Sequence, residues 1–101
     1  MEEEKKKLVS LKRRVSEEEV PDFYVNSVTV LFSQYELFLQ FGLKTNPNEE
    51  PNPVVNVRMS PEHAKVMTAF LRKHLKLYEK DIGEIKLLPE LVKDLGIEKE
   101  I

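Results

Sequence analysis

With 101 residues, 34% of them charged and 41% hydrophobic, the chain has the length and composition of one ordinary soluble domain. A formal net charge of -2 and a pI near 5.7 exclude a global attraction to nucleic acid or anionic membrane, so any such binding has to rest on a local basic face. The absence of cysteine excludes a disulfide scaffold, a thiolate zinc site and a cysteine nucleophile.

Residues 1–21 read as a charged flank. Glu2-Glu3-Glu4, Lys5-Lys6-Lys7, Lys12-Arg13-Arg14 and Glu17-Glu18-Glu19 alternate in sign, the pattern of a salt-bridged helix or of a solvated tail. Leu8, Leu11 and Val15 are spaced i, i+3 and i+7, so a short amphipathic helix forms only if it finds a surface to dock on. No stretch has the length of a signal sequence or of a membrane span, and the expected location is the cytoplasm.

Over residues 24–32 the hydrophobic period becomes two, with Val28, Val30 and Phe32 on one face and Ser27, Thr29 and Leu31 on the other. After Ser33–Glu36 the alternation resumes over residues 37–42, carried by Leu37, Leu39 and Phe41. Two such runs joined by a few residues predict an antiparallel hairpin. Residues 44–53 hold Pro47, Pro51 and Pro53 among Asn46, Asn48 and Asn52 and read as a surface loop. A third strand is expected over 54–59, with Val55, Val57 and Met59 together.

A helix is expected over 61–82. Ser60 can accept from free amides, Pro61 suits the first helical position, Glu62 suits the positive end of the dipole, and Gly83 suits a left-handed cap. At 100° per residue, Ala64, Met67, Leu71, Leu75, Tyr78 and Ile82 form one stripe, for which one face of the sheet is the expected cover. Val66, Phe70 and Leu77 form a second beside it, with His74 between the two. The apolar arc is about half the circumference, wider than the ~100° that docking on one surface needs. Beyond Pro89, Leu88, Leu91, Val92 and Leu95 repeat helical spacing before Gly96. That segment either covers the second stripe or reaches a neighbouring copy.

The expected fold class is therefore α+β, a small antiparallel sheet of about three strands followed by one long amphipathic helix. The domain plan is a flank at 1–21, a β-β-β-α core at 22–85 and an amphipathic tail at 86–101. A core of that size buries only about 60% of its unfolded surface, and one helix covers one face of a sheet, leaving Val25, Leu31, Phe38 and Val54 on the other. A homodimer or higher oligomer is the expected remedy, with Val66, Phe70, His74 and Leu77 as the candidate interface.

Tyr24-x-Asn26-x-Val28, Ser33-x-Tyr35-Glu36 leading to Phe41-Gly42, Met59-Ser60-Pro61-x-His63-Ala64-Lys65, and Tyr78-Glu79 with Gly83-x-Ile85 carry a family resemblance. Over residues 24–85 the chain resembles the small bacterial proteins of domain-of-unknown-function family 3467, and the Met-Ser-Pro-x-His-Ala-Lys stretch is the most specific part. In that family tryptophan and aspartate are frequent where this chain has Tyr35 and Glu36, and phenylalanine is frequent at Ile82. The resemblance implies the fold outline and no activity.

Chemical constellations are sparse. His63 and His74 are eleven residues apart, about 16 Å along a helix, too far to share a metal. His74 lies among Phe70, Leu71, Leu75 and Leu77, where a hydrogen-bonded core or interface role is expected, and His63 falls in the first helical turn, where a capping or surface role is expected. Glu49 and Glu50 are adjacent loop acids, usually just solvated. Gly42, Gly83 and Gly96 stand apart, so no glycine-rich phosphate loop is present, nor any hydrolase elbow. The expectation is a non-enzymatic accessory or protein-interaction module that needs no cofactor or metal and whose main partner is itself.

The alternative is single-stranded nucleic-acid binding through Lys65, Arg72, Lys73, Lys76 and Lys80 on the polar helix face, with Tyr24, Tyr35 and Phe38 as stacking groups. The predicted topology is similar to that of the transcription coactivators that bind single-stranded DNA as strand-helix dimers, a likeness of fold alone.

Overall fold

The computed structural model describes residues 20–101. Three strands come first, β1 (Ser27–Phe32), β2 (Leu37–Leu43) and β3 (Asn52–Met59), in the spatial order β1-β2-β3. Two helices follow, α1 (Pro61–Asp81) and α2 (Pro89–Leu95). The protein is thus α+β, with an antiparallel sheet ahead of a long helix. The chain forms two compact units. Among the described residues, one comprises 20–31 with Phe38–Arg58 and carries most of the sheet; the other comprises Phe32–Leu37 with Met59–Ile101 and carries both helices. The expected flank helix around Leu8, Leu11 and Val15 lies outside the described residues.

Local polar chemistry closes each connection between strands. The Ser33 N–H donates to the Glu36 carbonyl at 2.9 Å, while the Ser33 hydroxyl accepts from the Tyr35 and Glu36 amides at 3.2 and 3.3 Å. A serine hydroxyl that holds a turn in this way explains why the alternation stops for four residues and then resumes. The β2–β3 loop is tied similarly: the Asn46 side-chain oxygen accepts from the Asn48 amide at 3.0 Å, and the Glu49 amide donates to the Asn46 carbonyl at 3.1 Å.

Side-chain contacts show which residues share a face. The Gln40 amide donates to the Asn56 side-chain oxygen at 3.1 Å, and the Arg58 guanidinium lies 4.5 Å from the centre of the Phe38 ring. Gln40, Phe38, Asn56 and Arg58 therefore occupy one face. By alternation Leu37, Leu39, Phe41, Val55, Val57 and Met59 occupy the other. That second face is the apolar one: Leu39 is buried, and the other five are half-buried.

Three strand boundaries differ from expectation; the second strand runs one residue further, to Leu43. Residues 24–26 are not in the first strand. Instead the Asn26 side chain takes over the pairing there, its oxygen accepting from the Lys44 amide at 2.7 Å and its nitrogen donating to the Lys44 carbonyl at 2.9 Å. The third strand begins two residues early, at Asn52, and so includes Pro53; it is an edge strand, the position in a sheet where proline is tolerated.

In the helical unit, α1 starts as its sequence predicts. Ser60 is extended (φ -68°, ψ 154°), its hydroxyl accepts from the His63 amide at 3.1 Å, and Pro61 follows in the first turn. Replacing Ser60 by alanine removes that cap and is expected to cost about 1 kcal/mol, read as a lower urea midpoint at unchanged slope; an unchanged midpoint would show the cap to be idle.

The far end of α1 differs from expectation. Its last residue is Asp81, and Ile82 caps it, with the Ile82 and Gly83 amides both donating to the Tyr78 carbonyl. Gly83 has φ +157° rather than the left-handed value. The Glu79 carboxylate accepts from the Ile85 amide at 3.1 Å and turns the chain toward the tail. The left-handed cap belongs to α2: Gly96 has φ +66°, its amide donates to the Lys93 carbonyl, and the Ile97 amide donates to the Val92 carbonyl. That is the pattern of a Schellman motif.

Candidate functional site

The stripe over Ala64, Met67, Leu71, Leu75, Tyr78 and Ile82 is covered at its start only. Ala64 is buried and Met67 half-buried, but every residue from Thr68 to Ile82 is exposed, Ile82 by 72%. This corrects the expectation that a sheet face shelters the whole stripe, and dimensions supply the reason. A helix of 21 residues is about 31 Å long, whereas three strands of six to eight residues span roughly 20–27 Å along and about 10 Å across.

The second stripe is open as well. Val66 is 65% and Phe70 61% exposed, with Leu77 and His74 also on the surface. His74 donates from Nδ1 to the Phe70 carbonyl at 2.9 Å, since a carbonyl can only accept, and its ring meets the Phe70 ring edge-on at 4.5 Å. The pair forms a stiff aromatic projection, because the imidazole is held by both a hydrogen bond and a ring contact.

The tail does not cover this projection. Within the helical unit the terminal segment lies beside α1, with Arg72 Nη2 donating to the Glu100 carbonyl at 3.4 Å, and Val92 is buried. Leu88, Leu91 and Leu95 remain exposed, so α2 adds apolar surface rather than removing it.

Seven side chains of α1 and its C-cap, Val66, Phe70, Leu71, Leu75, Leu77, Tyr78 and Ile82, each leave between 43% and 72% of their surface in water. Full burial of such a side chain yields about 1.5–3 kcal/mol, so covering what is exposed is worth on the order of 5–10 kcal/mol. Association itself costs about 4–15 kcal/mol. The exposed face is thus worth a sum of the same order as the cost of association.

The polar side of α1 gathers cations. Arg72, Lys73, Lys76 and Lys80, with Ala69 and Leu77, line an open concavity of about 430 Å³. Four of the five predicted basic residues thus come together, and Lys65, nearer the start of the helix, is not among the lining residues. Ala69 makes the hollow, because a methyl between long side chains leaves a gap. The predicted stacking groups fare unevenly. Tyr24 and Tyr35 are open, whereas Phe38 already carries the Arg58 guanidinium on its ring.

One residue escaped the sequence reading. Gly42 is buried between strands: a β-carbon there would lie 2.9 Å from the Asn52 carbonyl oxygen, 2.9 Å from Ser27 Oγ and 3.3 Å from Pro51. Its place at the end of an alternating run gave it the look of a strand terminator.

Among the described residues no helix is long and apolar enough to cross a membrane, and no group of three or more histidine, aspartate and glutamate side chains is placed to hold a metal ion. The family model described as Protein of unknown function (DUF3467) matches residues 1–87. The match extends over the charged flank as well as the 24–85 stretch on which the resemblance rests. Neither the curated proteins nor the solved structures give a match. The chain belongs to the DUF3467 family.

Proposed function

We propose that the protein is a non-enzymatic assembly module of the cytoplasm that works as a homo-oligomer, with α1 as its principal contact. The observation that carries this reading is the exposure of α1 from Thr68 to Ile82. Monomeric soluble proteins rarely expose contiguous apolar patches larger than a few hundred Å². Two copies bring identical faces to each other across a two-fold axis, the commonest closed arrangement. Sedimentation velocity on the full chain from 1 to 100 μM tests this: a species of twice the protomer mass is expected. A monomer throughout that range ends the proposal.

A second reading, binding of single-stranded nucleic acid, is favoured by the cavity that Arg72, Lys73, Lys76 and Lys80 line together. Phosphate binding by four cations has a salt signature, a slope of log K against log salt of about -3 for single strands. A labelled oligonucleotide is expected to lose on the order of 500-fold in affinity over a tenfold rise in salt. Lys73→Glu with Lys76→Glu should abolish the binding. No shift at tens of micromolar protein in low salt disposes of this reading and leaves self-association standing.

A further inference from the structure

We infer that two copies join edge to edge through β1, merging their sheets into one continuous antiparallel sheet. This rests on the self-association reading and gives it a specific seam. The sheet has two edges, β1 and β3. β3 is guarded: Pro51 precedes it, Pro53 lies within it, and Asn52, Asn56 and Arg58 make three of its eight residues polar. Proline and charge are the usual means by which an edge is kept from pairing. β1 reads Ser-Val-Thr-Val-Leu-Phe, with no proline, no charge and five of its six residues exposed.

The hairpin fixes which backbone groups of β1 are free. Ser33 bonds to Glu36 at the turn, and Ser27 lies against Gly42 at the other end, so one register runs through the hairpin. Hydrogen-bonded pairs alternate in an antiparallel ladder. Thr29 and Leu31 therefore direct their N–H and C=O groups toward β2, and Val28, Val30 and Phe32 direct theirs at the open edge. The next even-numbered residue, Asn26, turns its amide inward to the Gly42 carbonyl at 3.0 Å, so the free row stops at Val28.

A row of three such residues has one two-fold arrangement that leaves none unpaired: Val30 opposite Val30 of the second copy, and Val28 opposite its Phe32. This register also keeps faces matched, because directly opposed residues in an antiparallel pair project to the same side. The row formed on the apolar face is valine against phenylalanine, valine against valine, phenylalanine against valine. Aromatic and β-branched neighbours of this kind are favourable cross-strand pairs. It covers Phe32, which is 82% exposed. On the other face Thr29 meets Leu31 of the second copy.

Val30→Pro is the test, because Val30 directs its N–H outward and a proline there spares the ladder to β2. In sedimentation equilibrium on the full chain, this variant is expected to raise the dissociation constant about 30-fold or more, with the far-ultraviolet spectrum unchanged. Amide exchange in the unmodified protein gives a second measurement that needs no variant. The Val28, Val30 and Phe32 amides are expected to exchange at least tenfold more slowly at 500 μM than at 5 μM, while Thr29 and Leu31 stay protected at both. Association undiminished in a folded Val30→Pro, or exchange at Val28 and Val30 independent of concentration, overturns the edge seam. If Val30→Pro fails to fold, the amide rates decide alone. A protein that is monomeric at all concentrations overturns the seam and the self-association reading together, whereas sensitivity to substitutions in α1 but not at Val30 overturns the seam only.

Discussion

Phe70→Glu is expected to convert the associated protein to a folded monomer, raising its dissociation constant about 100-fold or more. Phe70 is already 61% exposed in the single chain, so folding gains little from its ring and loses little with it. The backbone carbonyl of Phe70, which holds His74 Nδ1, survives the substitution; only the edge-on ring contact goes. An aromatic side chain at the centre of an interface commonly contributes 2 kcal/mol or more. In the proposed dimer a carboxylate in its place would face its own copy, and like charges in an interface cost several kcal/mol further. Tyr35→Glu is the control, since Tyr35 is more exposed still but belongs to the β1–β2 turn rather than to α1. Equilibrium sedimentation of both variants reads the difference. An unaltered dissociation constant for Phe70→Glu would remove α1 from the interface.

How much of this was legible in the sequence depended on whether the decisive interaction was local. Ser60, Pro61 and Glu62 mark the start of α1 because a cap is a contact between residues three apart, and both partners are adjacent in the text. The loop asparagines and the Ser33 turn are local in the same sense. The two glycine caps were harder. Gly83 and Gly96 both follow an apolar periodic run, yet only Gly96 is left-handed. The residue after each separates them: Ile97 is apolar and half-buried, as the Schellman motif favours, whereas Glu84 is charged and exposed.

Long-range features were less legible. Asn26 extends the pairing of β1 with β2 through its side chain, across eighteen residues of sequence, and nothing near it announces that role. The exposure of α1 was half read. Val66, Phe70, His74 and Leu77 are on the surface as expected, but Leu71, Leu75, Tyr78 and Ile82 are there too. Helical periodicity gives the angular width of an apolar arc and says nothing of how far along the axis a cover extends. The free row of β1 escaped for a related reason: alternation places side chains on faces, while the direction of each N–H follows from the hairpin register.

Gly42→Ala is expected to lower stability by about 1–3 kcal/mol, the usual cost of forcing one extra carbon into a filled space. The numbers at the site say why it is not spared. Real β-carbons essentially never approach another heavy atom closer than 3.0 Å, and here two atoms wait at 2.9 Å. They differ in how they yield. Ser27 Oγ is the tip of a side chain and can rotate away, whereas the Asn52 carbonyl oxygen is backbone at the start of β3, where Pro51 and Pro53 flank it. Relief on the Asn52 side requires β3 to draw back from β2, which lengthens ladder bonds rather than merely turning a torsion. The double variant Ser27→Ala with Gly42→Ala separates the two contacts, because it removes the hydroxyl and leaves the carbonyl in place. Urea denaturation is expected to show the double variant recovering only the smaller part of the loss, with the Asn52 contact responsible for the rest. Full recovery would mean that β3 stands further from Gly42 than 2.9 Å implies. Undiminished stability in Gly42→Ala alone would mean that the close approach of the three strands at this point does not exist.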